Sequence, residues 1–219
     1  MFSPRRCNFE NIVGNDDTKL ILNKAIQSRK PVHVLLVGKP GSAKTMFLTE
    51  IMRSVRECYF TIGSNTTKAG LVNQLFEKEP KYLLIDELDK MSGNDQVSLL
   101  HLMETGIISE TKVKKTRQLE LVSWVFATAN SCQRIIEPLL SRFIVLEVPE
   151  YTLEEFRDIA VSRLATENVE EYIAVTLAEK VWNELESKDI RNVVKVARLT
   201  KGFDDVPFII RMMKKRRKY

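Results

Sequence analysis

Short apolar runs separated by longer stretches of helical spacing set the rhythm of this chain. Residues 32–37 (VHVLLV) are aliphatic and β-branched and stop at Gly38, as a strand buried on both faces of a parallel sheet does. Runs of the same kind recur at 58–62 (CYFTI), 82–85 (YLLI), 121–128 (LVSWVFAT) and 143–148 (FIVLEV). Between them the apolar positions fall at helical intervals: Leu20, Ile21 and Ala25 before the first run, Met46 through Val55 after it, and Leu99, Leu100, Leu102 and Met103 further on. Strands alternating with helices predict an α/β fold, a five-stranded parallel sheet flanked by helices. After Pro149 the strand signals end. Helices are expected near 152–166 (Phe156, Ala160, Leu164), 170–186 (Leu177, Val181, Leu185) and 190–200 (Val193, Val194, Ala197). The domains therefore read as an αβα domain over 1–149, a small all-helical subdomain over 150–203 and a basic tail over 204–219.

Composition adds exclusions. At 219 residues, 44% hydrophobic and 29% charged, the chain is of ordinary globular type, which excludes collagen-like, disordered and disulfide-scaffold classes. Cys7, Cys58 and Cys132 are too few and too scattered for a disulfide framework or a zinc site, and read as ordinary thiols. His33 and His101 lack metal-ligand spacing and read as structural. No apolar run approaches the ~20 residues a membrane-spanning helix needs. The opening MFSPRRCNFE lacks the apolar core of a secretory signal, so the expected location is cytoplasmic, with no membrane partner. The net charge of +5 is uneven, because RMMKKRRKY at the end holds six basic groups and leaves the remainder at −1. That tail is suited to phosphate contacts or an acidic partner, or is simply a solvated end.

The chemistry begins where the first strand ends. GKPGSAKT, Gly38 to Thr45, follows a strand and opens a helix, the context of a phosphate-binding loop. The candidate nucleotide-binding residues are Gly38, Lys39, Pro40, Gly41, Ser42, Ala43, Lys44, Thr45 and Met46. Backbone N–H groups of such a loop surround a phosphate, Lys44 reaches the β/γ oxygens, and the Thr45 hydroxyl takes a place on Mg²⁺. Ala43 stands where the strict pattern has glycine, which is tolerable if that position is right-handed helical. YLLIDE then delivers Asp86 and Glu87 to the carboxyl-terminal edge of the sheet, where open α/β sheets bind ligands. Asp86 is the second candidate for Mg²⁺, and Glu87 the candidate base for a water attacking the γ-phosphate.

With these motifs in place the chain resembles the AAA+ ATPases over nearly its whole length. FENIVGNDD resembles the family's adenine-packing segment, with Ile12 and Val13 as the apolar contacts. WVFATAN puts Asn130 at the polar position that helps place the attacking water, and EPLLSRF puts Arg142 at the arginine finger. KDIRNVVKVARL puts Arg191 at the start of the last lid helix, where the family senses the γ-phosphate. The resemblance implies that ATP and Mg²⁺ bind and that Glu87, Asn130, Arg142 and Arg191 serve catalysis. It also implies that 150–203 is a lid and that copies assemble head to tail into a ring, of six subunits, in which Arg142 reaches a neighbour's nucleotide.

The substrate is suggested by METGIISETKVKKTRQLELVSW, longer than a connection to the next strand requires. It reads as strands at 107–112 and 116–121 around a basic turn, with Lys112, Lys114, Lys115 and Arg117 near the tip. This resembles the hairpin of DNA motors such as minichromosome-maintenance helicases and the Holliday-junction branch-migration motor. There it points into the central channel, where lysines track phosphates. GSNTTKAGL at 63–71 lacks the aromatic grip of protein-unfolding members, and Lys68 is its only charge. The expected function is therefore ATP-driven remodelling or translocation of DNA. The alternatives are a protein-remodelling chaperone or a nucleotide-switched loader or scaffold. No winged helix is legible, and no aromatics interleave with the basic residues as on single-strand platforms.

Overall fold

A computed structural model describes residues 6–112, 115–200 and 202–216. The five apolar runs form one parallel sheet of β1 (His33–Val37), β2 (Cys58–Ile62), β3 (Tyr82–Asp86), β6 (Trp124–Ala129) and β7 (Phe143–Glu147), in the order β2-β3-β6-β1-β7. Between β3 and β6 the chain inserts a separate antiparallel hairpin, β4 (Ile107–Lys112) with β5 (Lys115–Glu120). The chain divides into two compact units, Met1–Lys39 with Ala43–Val148, and Pro40–Ser42 with Pro149–Tyr219.

The sheet's apolar runs are unbroken because both faces are covered. Leu35, Leu83, Ile85, Val125 and Ala127 point to one face, where they pack with residues of α3 (Lys68–Lys78) and α4 (Gly93–Thr105) such as Leu71, Leu75, Leu99 and Leu102. Val34, Leu36, Leu84 and Phe126 point to the other, against Leu22 and Ile26 of α1 (Asp16–Ile26) and Phe47, Leu48 and Ile51 of α2 (Lys44–Ser54). The fourth strand begins at Trp124, three residues later than the run at 121–128 suggests. The cause is local, since the Leu121 N–H donates to the Gly106 carbonyl at 2.7 Å and so closes the base of the hairpin. His33 is buried, and its Nδ1 accepts the Val125 N–H at 3.1 Å. Burial lowers its pKa to about 4, so it is neutral at pH 7 and structural.

The second unit is helical: α6 (Leu153–Ala165), α7 (Glu171–Asn183), α8 (Ile190–Leu199) and α9 (Val206–Arg216). Phe156, Leu164, Leu177, Val181 and Val193 are buried, and the rings of Phe156 and Trp182 meet at 5.2 Å. A capping box starts α6. Thr152 Oγ1 accepts the Glu155 N–H at 3.2 Å while the Glu155 carboxylate accepts the Thr152 N–H at 2.8 Å. The segment read as a basic tail is helical over 206–216, with Val206 and Ile210 buried. Among the described residues no helix is long and apolar enough to cross a membrane.

Candidate nucleotide site

In a parallel sheet every strand points its carboxyl end to the same edge, so whatever follows β1, β3 and β6 is gathered there. The loop after β1 is tied to that edge by the Gly38 N–H, which donates to the Ala129 carbonyl at 3.2 Å. Gly41 has φ +92°, a conformation that favours glycine. α2 then starts at Lys44 with no side-chain cap and no acidic residue in its first turn, leaving its positive end uncompensated by either. The expectation for Ala43 is overturned: it sits at φ 61°, ψ 7°, in the left-handed region. It caps α2 from outside the helix, the place where the tight loop must reverse, and so glycine is what the backbone there would favour.

That geometry gives a stability prediction. A left-handed residue with a Cβ costs ~1–2 kcal/mol, and glycine gives back ~0.4–1 kcal/mol through the looser unfolded chain. Ala43→Gly is therefore expected to raise stability by roughly 1 kcal/mol, read as a higher urea midpoint at unchanged slope. A lower midpoint would show that the loop gains nothing from the change.

Lys44 is buried and folds back on its own loop, with Nζ donating to the Gly38 carbonyl at 2.7 Å and to the Lys39 carbonyl at 2.8 Å. Burial pulls its pKa down, and the charges of Asp86, Asp89 and Glu87 oppose that fall. Across the edge, Thr45 Oγ1 lies 2.9 and 3.1 Å from the two carboxylate oxygens of Asp86, the last residue of β3. Two hard oxygen donors facing one another suit Mg²⁺, which is held by one or two protein groups and otherwise by water and phosphate.

Three residues at this edge escaped the sequence reading. Thr128 Oγ1 donates to Asp86 Oδ1 at 2.5 Å and accepts the Glu87 N–H at 3.0 Å. Asp89 is buried, and its Oδ1 accepts the Asn130 N–H at 3.3 Å, fixing the backbone just beyond β6. Gly63 leaves room for the Glu87 carbonyl, since a Cβ there would stand 2.3 Å from that oxygen. Glu87 itself has φ 55°, ψ 49°. A polar residue inside the apolar strand WVFATA was the legible signal for Thr128, because buried hydroxyls are hydrogen-bonded. No comparable signal marks Gly63.

The structure thus gathers Gly38, Lys44, Thr45, Asp86, Glu87 and Asn130 at one edge of the sheet. Ile12 is buried in the core cluster that includes Phe9 and Phe47, and Val13 is half-buried. Arg142 immediately precedes β7, is exposed, and forms an ion pair with Glu104 of α4. Arg191 lies in the helical unit as the second residue of α8, paired with Asp189 at 2.8 Å. Burial pushes the Asp189 carboxyl up, yet the hydrogen bonds from Arg191 hold it below its usual range. In the hairpin, Lys112 and Lys115 are partners across the turn, while their side chains and the whole of Lys114 lie outside the described residues. Arg117 is engaged at the hairpin's flank: it pairs with Glu110, donates to Asn73 Oδ1 at 3.1 Å and lies 4.6 Å from the Phe76 ring centroid.

Comparison with known proteins gives relatives, a likeness of fold and a family. The DNA replication licensing factor MCM2 of Oryza sativa subsp. indica is 28% identical over 170 residues, covering 64% of this chain and 18% of its own length. The Drosophila melanogaster licensing factor Mcm2 is 26% identical over 227 residues, covering 85% of this chain and 25% of its own. The chain thus spans about a fifth to a quarter of the curated relatives it matches. A proline-to-glycine mutant of Thermotoga maritima RuvB superposes with a TM-score of 0.68 at 21% identity, covering 89% of this chain and 64% of that one, a likeness of fold. The family model described as "ATPase family associated with various cellular activities (AAA)" matches residues 34–150, from the first strand through the last strand of the sheet, and the chain belongs to that family.

Proposed function

We propose that this chain binds ATP with Mg²⁺, hydrolyses it at a site completed by a neighbouring copy, and uses the cycle to remodel or translocate DNA. The observation that carries the reading is the meeting of Thr45 and Asp86, 41 residues apart in sequence and 2.9 Å apart beside the phosphate loop. On binding, Lys44 exchanges the carbonyls of Gly38 and Lys39 for phosphate oxygens, a charge-assisted contact stronger than the one it leaves. Thr45 and Asp86 would hold Mg²⁺, which would supply positive charge to stabilise the phosphates in the transition state. Glu87 accepts a proton from the attacking water, and Asn130, steadied by Asp89, orients that water. Ile12 and Val13 lie on the segment that flanks the adenine, and Arg191 of the helical lid senses the γ-phosphate.

The position of Arg142 supports a site shared between copies. Phe143 pairs with His33 at the start of β1, so Arg142 stands at the amino-terminal edge of the sheet. The phosphate loop leaves the other end of β1, ~13 Å away at ~3.3 Å per residue. Its own nucleotide is on the far edge, whereas a head-to-tail neighbour can present one to it, and a head-to-tail contact that closes is a ring, proposed here as a hexamer.

DNA is favoured by the hairpin and by the relatives, which are named DNA replication licensing factors. The sequence puts Lys112, Lys114 and Lys115 near its tip, while Arg117 lies on its flank against Phe76 of α3. The test is the ATPase rate with single-stranded, duplex and branched DNA at two salt concentrations. Duplex or branched DNA is expected to raise the rate, less at high salt because phosphate contacts release counterions. Replacing Lys112, Lys114 and Lys115 together by alanine is expected to abolish the stimulation. Stimulation by unfolded polypeptide in place of DNA would make the chain a protein remodeller, and nucleotide-dependent assembly without turnover would make it a scaffold.

A further inference from the structure

We infer that Thr128 is a positioning residue of this site, whose single hydroxyl sets the Asp86 carboxylate and the Glu87 main chain together. The inference rests on the proposed roles of those two acids. β6 lies between β3 and β1, and all six of its residues are buried; five are apolar and the sixth, Thr128, is 1% exposed. A threonine hydroxyl has one proton and two lone pairs. The proton goes to Asp86 Oδ1 at 2.5 Å, which fixes the rotor, and a lone pair then meets the Glu87 N–H at 3.0 Å.

The bond to Glu87 matters because of that residue's backbone. Its φ of 55° is one that side-chain-bearing residues seldom adopt, so it persists only where the surroundings hold it. It is held on both sides. Thr128 fixes the amide, while the carbonyl accepts the Lys90 N–H at 2.9 Å and lies against Gly63, where there is no room for a Cβ. The direction in which the Glu87 side chain leaves the sheet edge is set by those contacts. Because one hydroxyl serves both acids, a rotation of Asp86 turns the Thr128 proton with it and swings the lone pair that faces Glu87. The acid that holds the metal and the acid that takes the proton are thereby linked through one atom.

The test compares Thr128→Val, which keeps the shape and removes the hydroxyl, with Thr128→Ser, which restores it. Amide exchange at Glu87, followed by NMR on the ligand-free chain, reads the bond without any activity. It is expected to be protected in the wild type and in the serine variant and exposed in the valine variant. kcat is expected to fall ~10–100-fold in Thr128→Val, the usual loss for a group that orients a metal-holding carboxylate, and to recover largely in Thr128→Ser. Binding of a fluorescent ADP analogue without Mg²⁺ is expected to stay the same in all three. A valine variant with wild-type kcat and a protected Glu87 amide overturns the inference, and so does loss of kcat and nucleotide affinity together in step with loss of folded protein. If the valine variant does not fold, fast exchange of the Glu87 amide in the wild type or failure of the serine variant to turn over ATP overturns it as well. A wild-type chain without ATPase activity instead strikes the proposed function, and the exchange result stands apart from it.

Discussion

Glu87→Gln is expected to bind ATP as the wild type does and to turn it over ~10²–10⁴ times more slowly, the range that a positioned general base contributes. The substitution is informative because it leaves nearly everything else in place. The Glu87 N–H that Thr128 accepts and the carbonyl that abuts Gly63 belong to the backbone, and glutamine keeps both. Lys44, Thr45 and Asp86, which form the phosphate and metal half of the site, are untouched. The loss should therefore fall on kcat, with the affinity for a fluorescent ATP analogue in the presence of Mg²⁺ unchanged, the signature of an interaction made in the transition state. Undiminished turnover would remove Glu87 from the role of base. Asp89, buried at the same edge, would then be the alternative acid, although its carboxylate already serves the Asn130 amide.

The pattern of this sequence displays its scaffold far better than its strained points. Strands buried on both faces announce themselves as unbroken apolar runs, and β1, β2, β3 and β7 lie within a residue or so of their runs. The run at 121–128 misleads at its start, because Leu121 is apolar for the hairpin's sake and its amide is spent on Gly106. Residues 206–216 look like a charged tail because the lysines and arginines conceal the four-residue spacing of Val206 and Ile210, both of which are buried. The phosphate loop and the acidic pair are legible because their chemistry demands particular residues in a row. The conformation of Ala43 is not, since φ is imposed by the reversal of the loop and leaves no mark on the residue's type. Gly63 and Glu87 illustrate the same limit, for their contact joins the end of β2 to the end of β3 and exists only once those strands pair.

Arg142→Ala is expected to lower the ATPase rate by ~10³–10⁵, the effect of an arginine supplied to a phosphoryl-transfer site. Lys44→Ala should be comparably inactive because it cannot hold the phosphates at all. The two defects lie at opposite edges of the sheet, and in a ring they damage different halves of each shared site. Mixing the two inactive proteins should therefore recover activity: wherever an Arg142→Ala subunit offers its intact phosphate loop to a Lys44→Ala neighbour, that neighbour's Arg142 completes it. The resting contact is no obstacle to this, because the pair of Arg142 with Glu104 is exposed, with both side chains at 43%, and exposed pairs contribute only ~0–1 kcal/mol. A guanidinium so weakly held can leave Glu104 for a neighbour's phosphates. Activity measured across mixing ratios should pass through a maximum near equal amounts, whereas a site complete within one chain gives none at any ratio.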